Sequence, residues 1–201
     1  MAYNDFSLEK AEKLLGVTVQ PDDLFDAPAP LAMPEWLREA LTKGMDLALV
    51  SEKARSEFIV SPILLASREL SHNAIAIYSG QRLDVQPEQG LVGECDFILT
   101  VSPPVPVLRS PVVTIVEAKK NDIELGLGQC IAQMVGARIF NEREGHAVRQ
   151  VFGCVTTGEA WQFLRLEGPI VALARKRYYI DNIGLVLAVW QTVIAACRRD
   201  S

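Results

Sequence analysis

The chain has 201 residues, of which 49% are hydrophobic, and it carries a formal net charge of -5 at neutral pH. This length is enough for one domain with a substantial core and leaves little room for two. The acidic balance argues against a protein that coats nucleic acid through a general excess of positive charge, although it still allows a local basic groove.

Hydropathy and cysteine usage indicate the compartment. No apolar run reaches the roughly 20 uninterrupted residues of a membrane-spanning helix, and the acidic, polar first ten residues differ from a secretory signal. Two histidines and the lack of a C-x-x-C pair argue against a zinc site. The cysteines are scattered through apolar stretches, as free thiols are in a reducing compartment: Cys95, Cys130, Cys154 and Cys197. We expect a soluble, cytoplasmic protein.

The N-terminal quarter of the chain, residues 1–50, predicts a helical extension that precedes a main domain of residues 51–201. Residues 6–15 have the spacing of a short amphipathic helix that Gly16 ends, and the proline- and aspartate-rich passage after it is typical of a loop. A longer helix is predicted to start at Pro34, because apolar side chains recur with helical spacing beyond it.

Residues 51–70 predict a second long helical region, with a kink or a fresh start at Ser61-Pro62. Glu57 stands there among apolar residues. Two interpretations of it stay open. It is either an acid held near an apolar face or a solvated helix position, and buried acids are rare.

Three β-prone runs follow, at residues 74–79, 93–100 and 111–120. The proline-rich connection between the second and the third predicts antiparallel neighbours joined by a loop. Because alternate side chains of a strand share a face, Glu117 and Lys119 point the same way, while the alanine between them points to the other side. An acid and a base therefore lie side by side at the end of a hydrophobic strand.

A helix over residues 122–141 is predicted next, with Asn121 or Asp122 as its cap. Three glycines weaken that prediction and allow the helix to start only near the second of them: Gly126, Gly128 and Gly136.

The remainder of the chain predicts strands and one apolar helix. Residues 148–156 and 161–166 read as two strands joined by a hairpin turn at Thr157-Gly158-Glu159, and residues 171–180 predict a further strand. The final helix, over residues 183–197, is apolar nearly all round and must be buried on several sides. It is either central to the core or packed against a second subunit, and we expect a homodimer contact through it.

Asp96, Glu117 and Lys119 form the predicted chemical site, because the strands that carry them are predicted neighbours. Carboxylates are hard ligands for Mg²⁺ or Mn²⁺, which neutralises phosphate charge and lowers the pKa of water. The carbonyl oxygen of Ala118 adds a ligand, and Lys119 stands where it can orient or deprotonate the water. These residues predict metal-dependent hydrolysis of a phosphodiester bond.

This arrangement resembles the PD-(D/E)XK nuclease superfamily, the restriction endonuclease-like fold. The matching features are Asp96 and the Val-Glu-Ala-Lys stretch that ends at Lys119, with an upstream helical Glu57 and a downstream glutamine-bearing helix. One departure is that Cys95 stands where the family name has proline.

Within that superfamily, the Ser56-Glu57 pair followed by Pro62-Ile-Leu-Leu65 is similar to the nuclease domain at the N-terminus of type I restriction motor subunits. The likeness spans residues 51–166. It implies an α/β (α+β) fold with a mixed central sheet flanked by helices, and DNA as the partner.

The resemblance also implies a role for each residue. Asp96 and Glu117 would hold the metal, Glu57 would be an auxiliary ligand acting directly or through water, and Lys119 would activate the water.

Gln129 and Gln133 are about one helical turn apart and share a face. By the resemblance, one or the other supports the site or contacts the DNA backbone. The competing interpretation is that both lie on the solvent side of an amphipathic helix.

Two competing interpretations apply to the site as a whole. Glu117 and Lys119 could form only a surface ion pair at a strand end. A different class of function is a non-catalytic nucleic-acid-binding or assembly module on the same fold, which the acidic balance and the apolar last helix favour. The set of acids argues for the enzyme, because carboxylates repel phosphate until a metal binds.

Overall fold

The protein is described by a computed structural model that covers residues 1–26, 28–119 and 121–199. It has a mixed α/β fold in which an eight-stranded sheet is flanked by helices. The expected class, a mixed sheet with helices around it, is confirmed.

The strands are β1 (Thr18–Asp22), β2 (Ala76–Arg82), β3 (Glu94–Thr100), β4 (Val112–Ala118), β5 (Gln150–Thr156), β6 (Ala160–Glu167), β7 (Ile170–Ala174) and β8 (Tyr178–Tyr179). The helices are α1 (Leu8–Leu15), α2 (Glu35–Ala48), α3 (Glu52–Arg55), α4 (Ser61–Leu70), α5 (Glu124–Arg143) and α6 (Ile183–Arg199), and a π-helical segment (Ser56–Val60) joins α3 to α4. Most of these elements lie where the sequence predicts them.

The sheet has the strand order β1-β7-β6-β5-β4-β3-β2, with β8 beside β6. Strands β2, β3 and β4 form an antiparallel meander, and α5 then carries the chain over to β5, which is parallel to β4. The predicted antiparallel pairing of β3 with β4 and the predicted hairpin of β5 with β6 are both confirmed.

Two apolar layers cover the two faces of the sheet. One layer contains α2, α4 and α6, and the other contains α1 and α5. In the first layer Trp190 of α6 makes edge-to-face contacts with Trp161 and Phe163 of β6. The sheet is therefore buried on both sides, as its nearly all-apolar central strands require.

Strand β1 is a correction to the loop predicted after Gly16. Residues Thr18–Asp22 pair in parallel with β7 at the edge of the sheet. Pro21 lies in this strand, and an edge position tolerates it because its missing N–H leaves no central ladder bond unmade. Residues on both sides of position 50 thus contribute to one sheet, and the proposed domain division there stays a prediction.

The prediction of one strand over residues 171–180 was also wrong. Two strands, β7 and β8, occupy that range. The chain leaves β7 at Arg175, whose N–H donates to the carbonyl oxygen of Asp22 at 2.9 Å, and it re-enters the sheet against β6 at Tyr178.

Of the two alternatives predicted at Ser61-Pro62, the fresh start is wrong, because the chain stays helical there, and the kink stays a prediction. The helix continues through a π-helical segment, in which the N–H of Ser61 donates to the carbonyl of Ser56 five residues earlier. Pro62 has no N–H to offer to a regular α-helical ladder, and one wider turn accommodates such an interruption without breaking the helix.

Helix α5 begins at Glu124, so the later start near Gly128 is wrong. The N-cap residue is Ile123, which makes no side-chain capping bond, so the predicted cap at Asn121 or Asp122 is wrong. Asp122 contributes from just before the helix, because its Oδ1 accepts the N–H of Glu124 at 2.9 Å. The glycines allow close packing instead of breaking the helix. A Cβ on Gly128 would lie 2.5 Å from the carbonyl oxygens of Phe6 and Ser7 in the N-terminal segment.

Helix α6 packs its apolar residues into the core, and Asn182 Oδ1 accepts the N–H of Leu185 at its start, 3.3 Å away. With the 3-10 turn before it, the stretch Ile180–Arg199 is long and apolar enough to cross a membrane by length and composition, a test that core helices also pass. The homodimer contact through α6 stays a prediction. A light-scattering mass equal to one chain would contradict it.

Candidate active site

The candidate site lies where β4 ends. The register that pairs Phe97 with Val116 puts Asp96 beside Glu117 one step further along the two strands. There Asp96 Oδ2 accepts the N–H of Ala118 at 2.7 Å. The two carboxylates expected to converge therefore belong to neighbouring strand positions.

Glu117 and Lys119 form a buried pair. Lys119 Nζ lies 2.6 Å from Glu117 Oε1, and the side chains are 18% and 3% exposed, respectively. The interpretation of a surface ion pair is therefore wrong, because the core of the sheet extends to this strand end. The backbone N–H of Lys119 donates to the carbonyl of Thr156 at 2.8 Å, which continues the β4–β5 ladder.

Both glutamines of α5 contact this pair. Gln129 Oε1 accepts from Lys119 Nζ at 3.0 Å, and Gln133 Nε2 donates to Glu117 Oε2 at 3.0 Å. Gln133 is fully buried and Gln129 is half-buried. The interpretation of a solvent-facing pair is wrong for Gln133, because α5 is packed against β4 and is buried around most of its circumference.

Gly126 explains how α5 comes so near to Lys119. A Cβ at this position would lie 2.6 Å from Val155 Cγ1 and 3.0 Å from Lys119 Cγ. Only a glycine leaves room for the stem of Lys119 between the helix and the sheet. The glycine that weakened the helix prediction is thus part of the packing that shapes the site.

Glu57 is placed differently from the other predicted residues. Its side chain is 54% exposed and forms an ion pair with Lys53 at 3.3 Å, one turn earlier on the helix. The solvated interpretation of its helix position is confirmed. Glu57 nevertheless lines the same cleft as Asp96, and its role as an auxiliary ligand stays a prediction.

Glu52 is the acid that the sequence interpretation missed. It lies one π-helical turn before Glu57 and also lines the cleft. Its charge acts on both Asp96 and Lys119. An acid at the start of α3, directly after the cap residue Ser51, was the available signal.

The cleft beside the strand end encloses about 290 Å³. Four carboxylates line it together with the side of Ser61 and the backbone of β2 at Gly80: Glu52, Glu57, Glu94 and Asp96. Among the described residues, Asp96 is the member of the predicted catalytic trio that reaches this lining.

Two carboxyl groups of the site, those of Asp96 and Glu117, have raised pKa values. Burial raises the pKa of Glu117 to about 8, and the neighbouring charge of Asp96 adds to that rise. Burial also raises the pKa of Asp96, although the bond from Ala118 and the charge of Lys119 oppose the change. Burial lowers the pKa of Lys119, but the charge and hydrogen bond of Glu117 outweigh it, so that its pKa is raised.

The donor set fits a hard divalent cation. Asp96 and Glu117 offer carboxylate oxygens on adjacent strands, and Asp96 Oδ1 accepts no hydrogen bond from a described residue. Gln133 Oε1 is buried and lacks a hydrogen-bond partner within the described part of the chain. The described residues contain no group of three or more His, Cys, Asp or Glu arranged to hold a metal, so a cation here would draw on backbone, amide or water oxygens as well.

Comparison of the chain with models of protein families, with curated proteins and with solved structures finds no match in any of the three. The likeness to PD-(D/E)XK nucleases accordingly stays a prediction from the residues of the chain.

Proposed function

We propose that this protein is a metal-dependent nuclease that hydrolyses phosphodiester bonds of DNA, with Mg²⁺ or Mn²⁺ as its cofactor. The observation that carries the proposal is the meeting of Asp96, Glu117 and Lys119 at the end of β4, beside a cleft. An acid pair with a half-buried lysine at such a place is unusual for a purely structural role, because buried charges are costly.

Asp96 and Glu117 would hold the cation, which would supply positive charge at the phosphate and lower the pKa of water. Asp96 would contribute its oxygen Oδ1, which no described residue hydrogen-bonds, since Oδ2 accepts the N–H of Ala118. Gln133 fixes the orientation of Glu117 through its contact with Oε2.

Lys119 would orient the attacking water and place positive charge next to the phosphate. Its raised pKa keeps Nζ protonated at neutral pH, so Nζ serves as a hydrogen-bond donor in preference to a base. Lys119 Nζ donates one hydrogen bond to Gln129 and another to Glu117. Its third N–H can donate to water or a phosphate oxygen.

The topology supports the same proposal. An antiparallel meander that carries the acids on its second and third strands is followed by a crossover helix to a parallel strand. The resemblance to PD-(D/E)XK nucleases implies a mixed central sheet flanked by helices, with a helical acid before the two acid-bearing strands and a glutamine-bearing helix after them, and this arrangement is compatible with the proposal. By that resemblance, Glu57 would act as an auxiliary ligand through water, since its side chain is exposed on the cleft wall.

The second candidate is a non-catalytic nucleic-acid-binding or assembly module. The observation that favours it is the engagement of both Glu117 oxygens, one by Lys119 and one by Gln133. A carboxylate held in this way suits a structural pair as well as a metal ligand. The acidic lining of the cleft fits this candidate poorly, because without a cation it repels phosphate.

Cleavage of plasmid and linear DNA in Mg²⁺ or Mn²⁺ tests the proposal. We expect cleavage by the wild type, and losses of roughly 100-fold or more in Lys119→Ala and Asp96→Ala, as removal of groups that stabilise transition-state charge or position water commonly gives. Arg38→Ala, which removes an exposed side chain paired with Glu35, is the matched control and should cleave like the wild type.

Calorimetric titration with Mn²⁺ separates the two candidates. The nuclease requires binding that is lost in Asp96→Asn, whereas the binding module requires none at these carboxylates. Undiminished cleavage in both alanine variants would contradict the proposed site.

A further inference from the structure

Arg55 is a buried residue of α3, the helix that lines one side of the cleft. It is 8% exposed at the end of α3. Its neighbours along the helix line the cleft instead: Glu52, Lys53, Ser56 and Glu57. The helix thus turns its acids towards the cleft and its one arginine into the protein.

The guanidinium of Arg55 fastens this helix to the turn between β5 and β6. Nη1 donates to the carbonyl of Thr157 at 2.9 Å and to Glu159 Oε1 at 3.3 Å. Ile59, one turn further along the same helical region, packs on Gly158, where a Cβ would lie 3.3 Å from its side chain. The turn is therefore held at two points by one helix.

The same turn is joined directly to the backbone of Lys119. The carbonyl of Thr156, the last residue of β5, accepts the N–H of Lys119 at 2.8 Å. Thr156 Oγ1 in turn accepts the N–H of Gly158 at 2.9 Å. A continuous set of contacts therefore runs from Arg55 through residues 156–158 to the end of β4.

Burying an arginine at this position is energetically unfavourable if the side chain serves only for packing. Its Nε is buried and has no hydrogen-bond partner among the described residues. An aliphatic side chain would fill the space without the cost of taking a charge out of water. In the structure one guanidinium nitrogen, Nη1, donates to both a carbonyl and a carboxylate from the end of a buried stem.

We propose that Arg55 is a positioning residue, which fixes the Lys119 end of β4 relative to the cleft wall through the turn of residues 157–159. Its effect on cleavage rests on the proposed nuclease function. Its effect on the placement of Lys119 does not, and the two can be measured separately.

The test compares Arg55→Lys with Arg38→Lys. The first variant keeps the charge but ends one bond short of the Nη1 position that makes both contacts, and the second makes the same change at an exposed surface arginine. Two resonances in the ¹H–¹⁵N spectrum report on the contacts that link Arg55 to Lys119 through the turn of residues 157–159. One is the amide of Lys119, and the other is the indole of Trp161, whose Nε1–H donates to the carbonyl of Gly158 at 3.1 Å.

We expect both resonances to shift in Arg55→Lys. Neither should shift in Arg38→Lys. The indole of Trp36, which is bound to Glu69 on the outer side of the helices, should stay in place in both variants. At a temperature where circular dichroism shows each variant folded, the kcat of Arg55→Lys should fall by roughly 10- to 100-fold, the usual range for residues that orient a site from behind. Its Mn²⁺ affinity should stay within about twofold, because the carboxylate ligands are untouched.

Glu159→Gln is the second variant, in case Arg55→Lys does not fold. Glu159 is 57% exposed, so its loss leaves the core intact, and we expect smaller shifts of the same two resonances. Unmoved Lys119 and Trp161 resonances would overturn the proposal, as would shifted resonances with unchanged kcat. If the wild type does not cleave DNA, the nuclease proposal fails, and the resonances alone decide whether Arg55 positions Lys119.

Discussion

Two helical regions lie near the end of β4, and they differ in whether their polar side chains are buried against the sheet or exposed in the cleft. Helix α5 presses against the sheet, so Gln129 and Gln133 are bonded to Lys119 and Glu117. The helix formed by α3 and the π segment faces the cleft, so Glu57 is exposed and pairs with Lys53 on its own helix. Helix α5 contacts the Glu117–Lys119 pair directly, and the other helix lines the cleft.

This difference shows that helical spacing alone does not identify a site residue. Gln129 with Gln133 and Lys53 with Glu57 have the same four-residue separation and lie on one face in each case. Burial separates them. Gly126 lets α5 approach the sheet closely, whereas Glu57 lines the cleft with an exposed side chain.

Among the variants discussed, Gly128→Ala should lower the free energy of unfolding most, because it disrupts the packing of α5. The new Cβ would meet the backbone of Phe6 and Ser7 at about 2.5 Å, and backbone cannot move aside as a side chain can. Overpacking commonly costs about 1–3 kcal/mol and occasionally more, which exceeds the gain of about 1 kcal/mol in helix propensity. Urea unfolding would measure the loss.

Gly126→Ala is the matched comparison for that variant. Its Cβ would meet the side chains of Val155 and Lys119, so we expect a smaller loss of stability but a larger loss of DNA cleavage. Equal stability of Gly128→Ala and the wild type would show that α5 is not packed as tightly as described.

Gln133→Leu should sharpen the comparison at the level of activity. Leucine keeps the volume but removes the donor to Glu117 Oε2, so we expect cleavage to fall by roughly 10- to 100-fold, as for other groups that orient a metal ligand. Glu142→Leu, an exposed position at the far end of the same helix, is the control. Full activity of Gln133→Leu would assign Gln133 to packing alone.

The buried acid predicts a pH dependence of stability in metal-free protein. The pKa of Glu117 is raised from 4.5 to about 8 by burial, so the folded state binds the proton more tightly than the unfolded state does. Its contribution to stability is fully present below pH 4.5 and is lost as the pH rises towards 8. The slope approaches about 1.4 kcal/mol per pH unit for one proton.

Urea unfolding between pH 5 and pH 8.5 would measure this slope. Glu117→Gln should flatten it, because the amide does not titrate. Asp96, whose pKa is also raised, would leave a smaller slope of the same sign in that variant. A wild type that becomes more stable over this pH range would contradict the buried placement of Glu117.

Glu57→Gln should have the smallest effect. Its ion pair with Lys53 is exposed, and such pairs contribute about 0.5 kcal/mol or less. Glu52→Gln should weaken Mn²⁺ binding more than Glu57→Gln does, because the charge of Glu52 acts on Asp96 and Lys119. Calorimetry on the two variants would decide the order. The reverse order would indicate that Glu57, and not Glu52, is the acid of this helix with the larger effect on metal binding.

The sequence by itself determined the regular elements and the chemical trio. Strict alternation placed Glu117 and Lys119 on one face of β4, and apolar runs identified most of the sheet, because strand and helix periods are written locally in the chain. Asp96 could be assigned as their neighbour because the proline-rich connection implied an antiparallel pair.

Only the tertiary structure decided what depends on approach between distant segments. The pairing of β1 with β7, the burial of Gln133 and the exposure of Glu57 could not be read from local spacing, because each is set by which element lies opposite. Gly126 and Gly128 show the reason most plainly. As isolated residues they weaken a helix, and in the fold Gly126 lets α5 approach Lys119 and β5 while Gly128 lets it approach the N-terminal segment.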